Sequence, residues 1–185
     1  MTENGGGKSI FFVLLQRMKL RQATAGDRAA CWQLIDEARW KMMREGRRQW
    51  TPDYPSEALI GEDIALGRAY VLPHDGRPVA YGVLVVNGEP AYGQLAGHWL
   101  WEGDYVVIHR LAVSPSAQGL GWARRYLLAA ERWATEHAIP CIKIDTNHDN
   151  IRMLSMMDSL GYSRRGLIDY GPKGMRIAFE KMLNG

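Results

Sequence analysis

Residues 111 to 123 have the types and spacing of an anion-binding turn. They read Leu111-Ala112-Val113-Ser114-Pro115-Ser116-Ala117-Gln118-Gly119-Leu120-Gly121-Trp122-Ala123, which is a strand end, a glycine turn and a helix start. At such a junction several backbone N–H groups lie unpaired at the positive end of the helix dipole, and glycine lets a ligand approach them closely. The segment therefore predicts a site for an anionic ligand.

Two common phosphate motifs do not describe this turn. A P-loop would continue with Gly-Lys-Ser/Thr, and the dinucleotide fingerprint would have a third glycine and a different order of elements. Glycine also occurs in strand-to-helix turns purely for backbone geometry. The turn alone thus indicates an anion site without identifying the ligand.

Composition is that of an ordinary soluble globular chain. The 185 residues carry 23 basic and 20 acidic side chains, a net charge of +3, and 46% are hydrophobic. No apolar run approaches the ~18 to 20 residues that cross a bilayer, and the charge excess is too small for a disordered or nucleic-acid-condensing protein. Cys31 and Cys141 stand far apart, and the five histidines match no metal motif. We expect no metal site and a reducing, cytoplasmic setting.

The apolar pattern predicts alternating strands and helices that would hold this turn. Strands are expected over residues 19–23, 69–72, 79–86, 105–113, 141–146, 162–170 and 175–183. One helix follows a capping box at Thr24 and Asp27, and three more span about residues 56–67, 121–138 and 150–160. The turn at residues 73–78 makes two of the strands a hairpin, and residues 87–103 are predicted to be irregular.

A single domain is expected over residues 18–185. Residues 1–17 do not share the pattern, because a glycine-rich stretch precedes the short apolar run Ile10–Leu15. No small-residue cleavage site follows that run before Arg17, so a signal peptide is not indicated. We expect these residues to form a flexible extension.

Two motifs in this order resemble the GNAT (GCN5-related) N-acetyltransferases. Residues 118–123 match that family's Gln/Arg-x-x-Gly-x-Gly/Ala signature, after a Leu-Ala-Val strand. Asn150-Ile151-Arg152-Met153 through Ser159-Leu160-Gly161-Tyr162 is similar to its asparagine helix and Gly-aromatic pair. The resemblance covers about residues 18–183. It implies an α/β (α+β) fold, a mixed and strongly twisted sheet of about six to seven strands flanked by helices on both faces, with two central strands splayed apart.

The resemblance implies acetyl-CoA as the co-substrate. Its pyrophosphate would bind the amides around Gly119 to Ala123, and its pantetheine would run along Leu111 to Val113 like an added strand. Asn150 would bond the pantetheine arm, and the same residue also fits a helix N-cap. Arg124 and Arg125 would meet the CoA phosphates or, in the competing interpretation, lie solvated on the outer helix face.

The implied chemistry is direct attack of an amine on the thioester, which needs a base and an acid for the leaving thiolate. Many relatives carry a tyrosine acid seven residues after the motif asparagine, where this sequence has Met157. A thioether cannot donate a proton. Tyr162 is the nearest substitute, although that position is usually a packed ring, and Tyr170 is a weaker one.

His109 is the predicted base. Some relatives use a carboxylate at the position of Val107, and counting by twos places Val107, His109, Leu111 and Val113 on one strand face. An imidazole has a pKa near neutrality and suits this role. A half-buried structural histidine is the competing interpretation, and Glu102 and Asp104 are the acidic alternatives.

Residues 39–55 are expected to face the acceptor. Residues 39–48 contain five basic side chains and one acidic side chain, Glu45, which gives a net charge of +4. The basic members of this cluster are Arg39, Lys41, Arg44, Arg47 and Arg48. Such a cluster favours an anionic acceptor, for instance one with a carboxylate, and Trp50 and Tyr54 would form an aromatic wall. The alternative is a solvated basic helix end.

We therefore expect an N-acetyltransferase that moves the acetyl group of acetyl-CoA to a primary amine of a small molecule or amino acid. No metal, nucleic acid or membrane is expected to take part. A non-catalytic acyl-CoA-binding or sensing module is the alternative, motivated by Met157. The acceptor, the acyl chain length and a homodimer are left open.

Overall fold

The computed structural model describes residues 19–183, so the predicted extension at residues 1–17 lies outside the described residues. This part of the chain forms four helices, α1 Arg28–Arg44, α2 Glu57–Ala65, α3 Trp122–Glu136 and α4 Ile151–Ser159. It also forms eight strands, β1 Arg21–Gln22, β2 Ala69–His74, β3 Arg77–Val86, β4 Ala96–Gly97, β5 Val106–Val113, β6 Cys141–Asn147, β7 Ser163–Asp169 and β8 Met175–Met182. The predicted elements are confirmed to within a few residues.

The strands form one mixed sheet in the order β1-β2-β3-β5-β6-β8-β7-β4. All neighbours are antiparallel except β5 and β6, which are parallel. The expected mixed sheet is confirmed, but eight strands exceed the predicted six to seven. The extra strand is β4, whose two residues pair with Leu167 and Gly166 inside the stretch predicted to be irregular. Two residues are too few to show the alternation by which a strand is recognised.

Helices cover both faces of the sheet, as expected. On one face α3 and α4 pack on strand residues such as Ile108, Ile144 and Phe179. On the other face α1 and α2 pack on β2 and β3 through Cys31, Ile35 and Ile60, among others. No helix among residues 19–183 is both long and apolar enough to span a membrane.

The central strands β5 and β6 separate soon after they meet. Only Val106 pairs with Ile142 and Val107 with Lys143. Beyond these pairs, β6 continues on β8 as far as Asn147, and β5 continues on β3 as far as Val113. The facing edges of β5 and β6 are therefore left open, and their backbone groups line a cleft in the middle of the sheet.

A bulge in β5 changes which side chains face that cleft. His109 pairs with Val83 but Ala112 pairs with Tyr81, so β5 has one residue more than β3 here, and Arg110 has a left-handed φ of 53°. Leu111 and Val113 therefore pack with Val106 and Ile108, toward α3. The prediction that His109 shares a face with Leu111 and Val113 is wrong, because the inserted residue shifts the alternation by one.

The loop between β3 and β5 covers the face of the sheet opposite α3. Tyr92 packs on Val107 and Ala178 in a small core of its own. The buried carboxylate of Glu180 accepts hydrogen bonds from the backbone N–H groups of Leu100 and Trp101, at 3.0 and 3.1 Å. These contacts fix the loop and hence the position of Tyr92 beside β6.

Candidate active site

A cavity of about 410 Å³ opens where β5 and β6 separate. The glycine turn, the free edge of β5, the start of α4 and the end of α1 all contribute to its walls. Ten of the eleven predicted cofactor residues line it, namely Leu111, Ala112, Val113, Gln118, Gly119, Gly121, Trp122, Ala123, Arg124 and Asn150. Leu120 is the exception, since its side chain is exposed and it is not part of the wall.

The glycine turn exposes backbone donors to this cavity. Gly119 and Gly121 have left-handed φ values of 80° and 79°, which side chains other than glycine adopt at a cost. The first hydrogen bond within α3 runs from the N–H of Arg125 to the carbonyl of Gly121. The N–H groups of residues 122–124 precede it and have no acceptor inside the helix. They lie beside the cavity, as an anion site requires.

Asn150 is confirmed as a helix cap, and its contact with the pantetheine arm stays a prediction. Its Oδ1 accepts a hydrogen bond from the N–H of Met153 at 3.4 Å and so caps α4. It also lines the cavity, where Oδ1 lies 3.4 Å from Nη1 of Arg47 and Nδ2 donates to Thr146 at 3.2 Å.

The basic cluster of residues 39–48 divides among three environments. Lys41 and Arg47 line the cavity, where Lys41 donates to Oε1 of Gln118. Arg39 is buried and holds the backbone carbonyl of Pro52. The side chains of Arg44 and Arg48 are exposed. Of the two residues of this cluster in the cavity wall, Lys41 lies beside the glycine turn and Arg47 beside Asn150.

We call the end of the cavity where β5 and β6 begin to separate its inner end. The carboxylate of Asp145 on β6 lies there. Its Oδ1 accepts from Nη1 of Arg176 at 2.9 Å, and its Oδ2 accepts from the hydroxyls of Tyr92 and Tyr170 at 3.0 and 3.1 Å. Burial and the charge of Asp145 raise the pKa of both tyrosines, so both hydroxyls keep their protons and donate.

Arg110 also lines the inner end. Its Nε and Nη2 donate to the two oxygens of Asp63, at 3.0 and 2.7 Å. Neither Asp145 nor Arg110 was predicted as a site residue. Each is a charged residue within a mostly apolar strand, and that pattern could have indicated a site. Burying a charge is costly unless it is paired, so such a residue usually has a partner or a ligand.

His109 lies close to this inner end but is not part of the cavity wall. Its side chain is 17% exposed, and its Nε2 is 3.5 Å from Oε2 of Glu89. Burial, with a smaller contribution from the charges of Arg110 and Arg176, lowers the pKa of His109 to about 4, although Asp145 acts in the opposite direction. The imidazole is therefore neutral near pH 7.

The structure does not bring Tyr162 to the cavity. Its ring is buried beneath Lys181. Burial raises the pKa of its hydroxyl, and the nearby charge of Glu131 raises it further. Met157 is fully buried in the same core. Neither acidic alternative lines the cavity, and Asp104 instead accepts a hydrogen bond from Asn87 at 2.7 Å. No group of three or more His, Cys, Asp or Glu residues within 19–183 is arranged to hold a metal ion.

The lowered pKa of His109 has a consequence for stability. The unfolded chain binds a proton at this residue near pH 6.5 and the folded chain only near pH 4, so the folded state loses stability as the pH falls through this range. The loss is about 3 kcal/mol for a difference of this size. We expect His109→Gln to remove this part of the pH dependence of the free energy of unfolding, measured by urea denaturation between pH 4 and 7.

His148→Gln, at an exposed position, should leave the pH dependence unchanged. Parallel pH curves for the wild type and His109→Gln would contradict the prediction.

A family model described as the acetyltransferase (GNAT) family matches residues 32–162. A GNAT-family acetyltransferase from Streptococcus agalactiae is 30% identical and superposes with a TM-score of 0.83 over 92% of this chain and 98% of that chain. No functionally curated protein matches the sequence.

More distant structures share the fold. The ribosomal-protein-S18-alanine N-acetyltransferase of Escherichia coli is 14% identical, with a TM-score of 0.64 over 91% of this chain and 95% of that one. An AAC(6')-Ib structure in complex with paromomycin and acetyl-CoA is 19% identical, with a TM-score of 0.65 over 89% and 93% of the two chains.

Proposed function

The chain belongs to the GNAT family of N-acetyltransferases, and from this premise we propose that it transfers the acetyl group of acetyl-CoA to the primary amine of a small molecule or amino acid. One observation carries the proposal. A cavity joins the glycine turn, the free edge of β5 and a charged inner end where β5 and β6 separate. A ligand with phosphates at one end and a thioester at the other fits this order.

The cofactor would be held mainly by backbone groups. Its pyrophosphate would accept hydrogen bonds from the amides of residues 121–124, and its pantetheine arm would pair with the open edge at Leu111–Val113. Lys41 and Arg124 would supply positive charge at the phosphate end, and Arg47 lies beside Asn150, where the pantetheine arm would run. The thioester would then reach the inner end beside Asp145.

The chemical step is addition of the amine to the thioester carbon. The new N–C bond forms, the C–S bond breaks, and the amine loses one proton while the thiolate gains one. His109 is the proposed acceptor of the amine's proton, because its imidazole is neutral near pH 7 and lies close to Asp145. Since His109 is not part of the cavity wall, the proton would reach it through a water, and with a pKa of about 4 the imidazole would pass the proton on to solvent. Of the two tyrosines considered as acids, Tyr170 is the one bonded to a residue of the cavity wall, Asp145, and its protonated hydroxyl is the better candidate donor.

The alternative of a non-catalytic module was motivated by Met157, and the structure shows where this residue lies. Met157 is part of the buried core under α4 and is not in the cavity wall. Its lack of an ionisable group is therefore explained by its place in the core. The first experiment is calorimetric titration with acetyl-CoA and CoA, followed by thiol release with a panel of amines. Binding with amine-dependent thiol release supports the proposal, and binding without release from any amine would overturn it.

Arg124 offers a test of the phosphate end. Its side chain reaches the start of the cavity, where Nη1 donates to Oγ of Ser159 at 2.8 Å. We expect Arg124→Gln to weaken binding of acetyl-CoA about tenfold at low ionic strength, and less at high salt. Binding of acetylpantetheine, which lacks the phosphates, should not change. Arg77→Gln, at the exposed first residue of β3, is the matched control. An equal loss for both ligands would contradict the assignment.

A further inference from the structure

The inner end of the cavity presents two opposite charges from the two strands that separate. Arg110 contributes a guanidinium from β5, and Asp145 contributes a carboxylate from β6. The bulge at Arg110 places its side chain in the cavity wall, because the left-handed φ of 53° interrupts the alternation of side chains along β5. A ligand that reaches the thioester position would meet both groups.

Each of these two groups is supported by a partner outside the cavity wall. Asp63 accepts two hydrogen bonds from Arg110, and Arg176 donates one to Asp145. The side chains of Arg110, Asp63, Asp145 and Arg176 are 10%, 0%, 2% and 9% exposed. Both lining groups are thus held in place before any ligand arrives, and little ordering remains to oppose binding.

These four side chains carry no net charge, and the sum stays at zero when Arg68, which also donates to Asp63, is counted with its second partner Glu62. An acceptor with a single charge would bring an uncompensated ion into a buried, electrically balanced site, which is unfavourable. An acceptor with one ammonium and one carboxylate brings no net charge, and each of its ends meets a group of opposite sign. The balance therefore favours a zwitterion.

Spare hydrogen-bonding capacity remains at both groups. Asp145 accepts three hydrogen bonds, and a carboxylate has about four acceptor positions. Arg110 has five N–H donors, of which two go to Asp63 and one to the side chain of Tyr54, so N–H donors remain on its guanidinium. An amine and a carboxylate of a ligand can therefore bond directly to these groups.

The cavity also has an apolar part of its wall, beside the polar pair Gln49 and Thr146. Ala38 and Met42 on α1, with Trp50 after it, face the same cavity. Lys41 and Arg47, by contrast, lie at the end with the glycine turn and next to Asn150. The basic cluster that suggested an anionic acceptor is therefore better placed for the cofactor phosphates.

We propose that the acceptor is a small zwitterion of the amino-acid type with an apolar side chain, whose amine is oriented by Asp145 and whose carboxylate is bound by Arg110. This inference rests on the proposed function and narrows its acceptor. Arg110 and Asp145 act as specificity-determining residues. The apolar wall of Ala38, Met42 and Trp50 takes the side chain of the acceptor.

Matched ligands test the inference without altering the protein. Thiol release from acetyl-CoA is measured with a panel of amino acids, each beside its amide and its decarboxylated amine. We expect kcat/KM for the best amino acid to exceed the values for its amide and its amine by tenfold or more, since each of these lacks the carboxylate for Arg110.

Two variants assign the effect to residues. Arg110→Gln should lower kcat/KM for the amino acid to the level of the amide while the value for the amide changes little, a coupling that general structural damage would not produce. Asp145→Asn should lower kcat/KM for the amino acid, the amide and the amine by a similar factor. Arg77→Gln should change none of these values, and acetyl-CoA binding should persist in all three variants.

The outcomes separate the inference from the function on which it rests. Turnover of simple amines and amides as fast as amino acids would overturn the zwitterion, while the acetyltransfer to small amines would stand. No turnover with any ligand, with acetyl-CoA still bound, would overturn the small-molecule acceptor and the zwitterion with it. A variant Arg110→Gln that still prefers amino acids tenfold would overturn the role of Arg110.

Discussion

Replacing Gly121 by valine is expected to weaken binding of acetyl-CoA by about 100-fold, the effect of losing two hydrogen bonds to a charged phosphate. Gly121 has a φ of 79°, and a β-branched residue is strongly disfavoured in that conformation. The turn would have to relax, and the amides of residues 122–124 would move from the anion site. The dissociation constant from calorimetric titration measures this effect.

A matched control separates lost binding from backbone strain. Gly76 in the β2–β3 turn has a φ of 77°, and at both glycines an added Cβ would meet no atom within 4 Å. Gly76→Val should therefore cost a similar amount of folding stability but leave acetyl-CoA binding unchanged. Equal binding by the two variants would mean that the glycine turn does not hold the phosphates.

Asp63→Asn is expected to lower the free energy of unfolding by about 3 to 5 kcal/mol, the usual cost of leaving a buried charge without its partner. Asp63 is fully buried on α2 and accepts hydrogen bonds from Arg68, Arg110 and the hydroxyl of Tyr81. An asparagine of the same shape would remove the negative charge and turn an amide N–H toward these donors. Urea denaturation at pH 7 measures the loss.

Glu62→Gln provides the control for this prediction. Glu62 precedes Asp63 and pairs with the same Arg68 at 3.2 Å, but its side chain is 58% exposed. Exposed ion pairs contribute roughly 0 to 1 kcal/mol, so this variant should be close to the wild type. If the two variants lose equal stability, the burial of Asp63 does not have the energetic role assigned to it.

Sequence patterns were sufficient for most of the fold because its elements follow local rules. Ser56 caps α2 through the N–H of Leu59, and Asp27 accepts from the N–H of Thr24, as their residue types predict. The strand β4 could not be predicted in this way. Its two residues pair only because β7 is brought beside them, which is a property of the tertiary structure.

The cofactor end of the site was more predictable than the acceptor end. The glycine turn is contiguous in sequence, so its residues lie together whatever the rest of the chain does. Asp145, Arg110 and Tyr92 come from β6, β5 and a long loop, and only the folded sheet brings them together. The face of His109 was predicted wrongly because a bulge depends on pairing with β3, for which no residue in β5 gives a local signal.

The open edge of β5 bears on self-association. An unpaired strand edge is ordinarily a hazard, because another chain can add to it and begin an aggregate. In this protein the edge of β5 beyond Val107 borders the cleft between β5 and β6, in the middle of the sheet. It faces β6, the glycine turn and the end of α1 rather than the outside of the sheet. A second polypeptide would have to enter the cleft between β5 and β6 to pair with it. The fold thus keeps a strand edge available for a ligand while withholding it from other copies of the chain.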